Sequence, residues 1–111
     1  DALLPKDRRR EHPRFNPDNI KRNAELLAPL EKIATARKCT PAQVALAWVH
    51  ARGDDIFPIP GTKRRTFLEQ NVAAFDIKLS GEEIATLTKA FPPGVTAGTR
   101  YPEKQMKALG I

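Results

Sequence analysis

The sequence predicts an α/β fold in which a single short strand is carried between helices. Ile-Phe-Pro-Ile-Pro at residues 56–60 is a compact apolar run that ends at Gly61 and passes at once into polar and basic residues. Before it, Val44, Ala47, Trp48 and Ala51 recur at helical spacing, and after it Leu68, Val72 and Phe75 do the same. One strand cannot pair with itself, and a strand this apolar between helices belongs in a parallel sheet covered on both faces. Its neighbouring strands are not in the sequence, so the chain reads as a piece of a larger domain.

Residues 1–15 read as loop, broken by Pro5 and Pro13 and charged by Arg8, Arg9, Arg10 and Arg14. The stretch has no helical or strand period and starts on Asp1, which suits a chain that opens within a loop. Asn16-Pro17 is an N-cap followed by proline at the first helical position, with Asp18 at the positive end of the dipole. Ile20, Leu27, Leu30, Ile33 and Ala34 continue this helix to about Lys38. Pro29 costs about 3 kcal/mol in a helix interior, so a kink or break is expected near Leu27.

Thr40-Pro41-Ala42-Gln43 is a capping box with proline at the first position, and Gly53 closes the helix it opens. That helix is apolar around much of its girth, which places Trp48 in the core and leaves His50 structural or exposed. Leu68, Val72 and Phe75 form the packing stripe of the helix after the turn. Ser80-Gly81-Glu82-Glu83 is a second capping box, and Ile84, Leu87 and Phe91 line one face of the helix that Pro92-Pro93 ends. Residues 94–111, rich in Gly, Thr and Lys, read as a tail.

The chemistry concentrates at the junction of strand and helix. The first N–H groups of a helix have no partner within it and the macrodipole is positive there, so phosphate binds readily. Gly61 lets the backbone approach closely, and Thr62 brings a hydroxyl that can cap the helix or donate to phosphate. Lys63 brings a point charge, and Arg64 and Arg65 bring planar forks suited to phosphate oxygens. Gln70 and Asn71 offer amides that pair with a base edge or a ribose hydroxyl. The set fits a phosphorylated nucleotide; an ordinary solvated loop followed by exposed helix residues has the same composition.

Composition bounds the alternatives. The chain has 111 residues, 41% of them hydrophobic, enough for one domain. A formal net charge of +6 raises the question of nucleic acid or acidic partners, which a basic helical module would bind. The strongest cluster, residues 6–14, has no interleaved aromatic, and no helix carries a continuous basic face, so nucleic acid is not the expected partner. One cysteine, Cys39, excludes an internal disulfide and suits the cytoplasm; alone it reads as a small packed residue. No apolar run is long enough to span a membrane, and no metal-ligating set is read.

Pro58-Ile59-Pro60-Gly61-Thr62-Lys63-Arg64, followed by Leu68-Glu69-Gln70-Asn71-Val72, closely resembles the last strand and following helix of the aldo-keto reductases. Cys39-Thr40-Pro41-Ala42-Gln43-Val44-Ala45-Leu46-Ala47-Trp48-Val49 resembles the family's preceding helix, and His12-Pro13-Arg14-Phe15 a segment in the loop before it. The resemblance implies the C-terminal part of a (β/α)8 barrel: the last strand, flanking helices and an extra C-terminal helix at residues 80–91, with residues 1–15 a cofactor-side loop and 92–111 the tail. It implies NADPH as cofactor, with Gly61, Thr62, Lys63 and Arg64 facing the adenosine 2′-phosphate and Gln70 and Asn71 the adenine. Where the family usually has Glu-Asn, this chain has Gln70-Asn71, which keeps an acceptor oxygen without the charge. Arg65, or one of Arg8 to Arg10 closing on the pyrophosphate, would add to the set.

The implied reaction carries hydride to the carbonyl of a small aldehyde or ketone. The family's catalytic aspartate, tyrosine, lysine and histidine motifs are not in these residues, and Tyr101 does not match the catalytic position. Catalysis would belong to the remainder of the barrel, upstream. A catalytically silent, NADPH-sensing relative would carry the same binding segment.

Overall fold

The computed structural model describes residues 3–109. Its helices are α1 (Pro17–Glu25), α2 (Ala28–Arg37), α3 (Pro41–His50), α4 (Arg65–Ala73), α5 (Gly81–Ala90) and α6 (Glu103–Ala108). They fall into two units, one built from residues 3–26 with 92–109, the other from Leu27–Phe91.

In the Leu27–Phe91 unit, α2 packs against α3 and α5. Leu30, Ile33 and Ala34 of α2 meet Val44 of α3 and Leu87 of α5 in a buried cluster, flanked by Cys39, Ala45, Trp48, Leu79 and Phe91. Trp48 packs at the edge of this core as the sequence predicts, its ring centroid 6.2 Å from that of Phe91. Its indole N–H donates to Thr88 Oγ1 at 3.2 Å, which satisfies the polar end of a half-buried ring.

The helix ends follow local chemistry. The break falls at Leu26 and Leu27, which puts Pro29 in the first turn of α2, where a missing N–H costs nothing. α2 ends on Lys38 in the left-handed region (φ 54°), and the Cys39 N–H closes on the Ala34 carbonyl at 3.0 Å. Both capping boxes form, Thr40 with Gln43 at α3 and Ser80 with Glu83 at α5.

Three expectations are corrected. The strand at residues 56–60 does not form: among the described residues there is no β-ladder, and the described architecture is helical. A strand is defined by backbone hydrogen bonds to a neighbour, and no extended partner lies within these residues. Phe57 and Ile59 are accordingly 80% and 95% exposed. The stripe of α4 packs only through its end: Leu68, Val72 and Phe75 are all more than half exposed, and the Phe75 ring meets His50 of α3, their centroids 3.9 Å apart. Phe75 itself belongs to a 3-10 turn, Ala74–Asp76, through which Ala74 is buried.

The third correction concerns the ends. Residues 1–15 contain two 3-10 turns, Arg8–Glu11 and Pro13–Phe15, and the tail carries α6. The tail also folds onto the first segment. Asn23 donates to the Ala97 carbonyl at 3.0 Å and accepts from the Ala97 N–H at 2.8 Å, and Arg14 donates to the Gly98 carbonyl at 3.3 Å. Gly98 is required there: its φ is +81°, and a Cβ would stand 2.8 Å from the Pro13 carbonyl carbon.

Candidate functional site

The turn between α3 and α4 is the place to which the sequence assigned binding, and the structure gives it a cleft. Pro60, Gly61 and Thr62 form one wall, and Phe67, Gln70 and Asn71 of α4 form another. The third wall is α3, through Thr40, Pro41, Ala42, Ala45, Leu46 and Val49, and the space between is about 750 Å³. A volume of several hundred Å³ with mainly apolar walls and a few polar groups is what a small organic ligand requires.

Local chemistry fixes this arrangement. The capping box starts α3 at Pro41, so its first turn stands beside the turn that leads to α4. Gln43 then reaches across, donating from Nε2 to the Gln70 backbone carbonyl at 3.0 Å, which ties α3 to α4. Thr62 does not cap α4. Its hydroxyl accepts from the Arg64 N–H and donates to the Arg64 carbonyl, both at 3.2 Å, so it closes a tight turn one step before the helix. Arg64 holds the N-cap position and no side chain caps α4. A Cβ at Gly61 would meet nothing within 4 Å, so the protein's own packing leaves room at that point.

Of the six residues singled out, Gly61, Thr62, Gln70 and Asn71 are brought together around the cleft. Lys63 and Arg64 stand in the turn outside its walls; both are exposed, and the Arg64 guanidinium lies over the Phe67 ring, 5.6 Å from its centroid. Arg65 is turned to Glu69, with Nε 2.9 Å from Oε1 in an exposed i,i+4 pair. The α3 wall and Phe67 were not singled out in the sequence. For Phe67 the signal existed: positions 67, 70 and 71 are spaced i, i+3, i+4 and share a helix face.

Two arginines of the first segment, Arg9 and Arg10, are engaged locally. Arg9 makes a two-pronged pair with Asp7, Nη2 to Oδ2 at 2.6 Å, and its hydrogen bonds hold the Asp7 carboxyl down at about 2. Arg10 donates to the Leu3 carbonyl at 3.0 Å. Cys39 is half-buried against the core, and burial pushes its thiol up, which suits packing and disfavours a thiolate nucleophile. Among the described residues no group of three His, Cys, Asp or Glu side chains could hold a metal ion, and no helix is long and apolar enough to cross a membrane.

Comparison with known proteins places this chain in a family. An NADP(+) aldo-keto reductase of Schizosaccharomyces pombe, yakc, is 47% identical over 96 residues, 86% of this chain and 28% of that protein. A probable aldo-keto reductase 1 of Glycine max is 42% identical over 90 residues, 81% of this chain and 26% of that protein. The chain thus spans little more than a quarter of the length of the curated relatives it matches. The model of the aldo/keto reductase family matches residues 2–91, which include α1 to α5 and every wall of the cleft, and the chain belongs to that family.

Proposed function

We propose that this chain is the C-terminal cofactor-binding segment of an NADPH-dependent aldo-keto reductase, and that the cleft between α3 and α4 receives the adenosine end of NADPH. The observation that carries the reading is the convergence of Gly61, Thr62, Gln70 and Asn71 on one cleft, with Lys63 and Arg64 exposed in the turn next to it in the chain. Its donor set suits the group: cations for a phosphate at the turn, amides for a base edge on the first turns of α4, and apolar walls between. The (β/α)8 barrel of the family supplies the sheet in which residues 56–60 would stand as the last strand, and sites in such barrels lie at the C-terminal ends of strands, where Gly61 follows.

NADPH, when bound, supplies the hydride that reduces the carbonyl of an aldehyde or ketone. The residues of this chain bind and orient; the proton-donating machinery would lie outside them. Lys63, with Arg64 beside it at the start of α4, attracts the 2′-phosphate that distinguishes NADPH from NADH, and Thr62 shapes the turn that presents them. A single cysteine, unpaired and half-buried, fits the cytoplasm.

Titration of the intact protein with both cofactors tests the reading. Lys63→Ala is expected to weaken NADPH binding by about 1–3 kcal/mol and to leave NADH nearly unchanged, since only the former loses a charged partner. Equal losses for the two cofactors would remove the 2′-phosphate from Lys63.

A further inference from the structure

Two arginines of the unit formed by residues 3–26 and 92–109 differ from most of the others in what surrounds them. Among the described residues Arg9, Arg37 and Arg65 each face a carboxylate, whereas none stands within salt-bridge distance of Arg14 or Arg100. Both line one cavity of about 660 Å³, and no acidic side chain lines it with them. Arg14 is half-buried and uses one donor, Nε, on the Gly98 carbonyl at 3.3 Å, which leaves the rest of its fork without a partner among the described residues. Two like charges on one concave wall with no counter-charge raise the local potential and draw an anion.

The other walls decide which anion. Met106 of α6 and Leu109 after it are apolar, and an unbranched methionine adapts to the shape of a chain laid against it. Thr99 donates its hydroxyl to the Tyr101 carbonyl at 2.8 Å, but the Thr96 hydroxyl has no partner among the described residues and is available as a donor. An inorganic anion would leave the apolar wall unused, and a neutral apolar ligand would leave the two charges uncompensated. The cavity is also held in shape before anything enters it: Asn23 clasps Ala97 through two hydrogen bonds, and Gly98 at φ +81° seats the tail against Pro13. A preformed site loses less entropy on binding.

We propose that this cavity is a binding site for an amphiphilic organic carboxylate, whose charged end meets Arg14 and Arg100 and whose chain lies against Met106 and Leu109. Guanidinium groups suit that head group because their planar forks match its two oxygens. The cavity shares no lining residue with the cleft between α3 and α4, so the proposal does not rest on the NADPH reading. Arg14 belongs to the first segment and Arg100 to the tail, so a carboxylate that bridges them adds a tie between the two.

The test uses the intact protein at low salt with hexanoate as the probe, binding followed by calorimetry. Hexan-1-ol serves as the probe without the charge and acetate as the probe without the chain. Hexanoate is expected to bind most tightly, hexan-1-ol about tenfold more weakly or worse, and acetate more weakly by roughly fourfold for each methylene it lacks. Arg14 also fastens the tail to the first segment, so the charged wall is tested at Arg100, which is exposed and whose loss leaves that clasp in place. Arg100→Gln is expected to weaken hexanoate about tenfold and to leave hexan-1-ol unchanged. Met106→Gln is expected to weaken hexanoate about fivefold and to leave acetate unchanged. Either variant binding hexanoate as tightly as wild type places the carboxylate elsewhere and overturns the assignment. So does wild-type protein that binds no hexanoate, or that binds hexan-1-ol equally well.

Discussion

Glu83 shows how much one carboxylate can organise. Arg37 donates to it from Nε at 2.9 Å and from Nη2 at 2.6 Å, and the Ser80 N–H donates at 2.6 Å, so one side chain closes the α5 capping box and fastens α5 to α2. The Arg37 hydrogen bonds, and then that of Ser80, hold its carboxyl at about 2, well below the usual 4.5. Because the folded value is depressed, this contribution is fully present above about pH 4.5 and is lost as pH falls toward 2. Glu83→Gln keeps an acceptor for the Ser80 N–H and removes the charge. Its melting temperature should therefore lie a few degrees below wild type at pH 7, with a shallower fall on acidification. Thermal melts followed by circular dichroism between pH 7 and 2 would decide this; parallel falls in the two proteins would assign acid sensitivity to other carboxylates, Asp7 first among them.

At the scale of elements, what the sequence made legible was what neighbours in the chain settle among themselves. The capping boxes at Thr40 and Ser80 and the break before Pro29 each depend on a handful of consecutive residues, and each is found where the spacing places it. α3 depends on its box directly: Thr40 Oγ1 accepts from the Gln43 N–H at 3.2 Å, and Gln43 Oε1 accepts from the Thr40 N–H at 3.0 Å. Thr40→Ala is expected to cost about 1 kcal/mol and Thr40→Ser close to nothing, read from urea midpoints; equal midpoints for all three would show the box to be ornamental. Residues 56–60 behave differently because a ladder requires a second strand, and no local pattern can provide one. α6 escaped notice for another reason: six residues of good helix formers behind Pro102 give too short a period to register among glycines and threonines. The site divides along the same line. Gly61, Thr62, Gln70 and Asn71 follow from a turn and a helix start, whereas Ala42, Ala45 and Leu46 reach the cleft only through the packing of α3 beside α4.

For the whole chain, two surface properties oppose each other. Phe57, Ile59, Leu68, Val72 and Phe75 all expose more than half of their surface, and exposed apolar surface of this kind drives association. Burying one such side chain fully is worth about 1.5–3 kcal/mol, so two or three meeting across an interface approach the free energy of a micromolar complex. The formal net charge of +6 acts against this by repulsion between copies, which salt screens over a Debye length of about 10 Å at 0.1 M. Because salt weakens the repulsion and leaves the apolar attraction in place, the 111-residue chain should associate more strongly as ionic strength rises, the reverse of an assembly held by ion pairs. Sedimentation velocity across a salt series measures it directly. Ile59→Lys combined with Val72→Lys should shift the distribution to monomer at every salt concentration, since each removes apolar surface and adds a repelling charge. Association that weakens with salt, or that survives both substitutions, would locate the interface on the charged faces and leave residues 57–75 uninvolved.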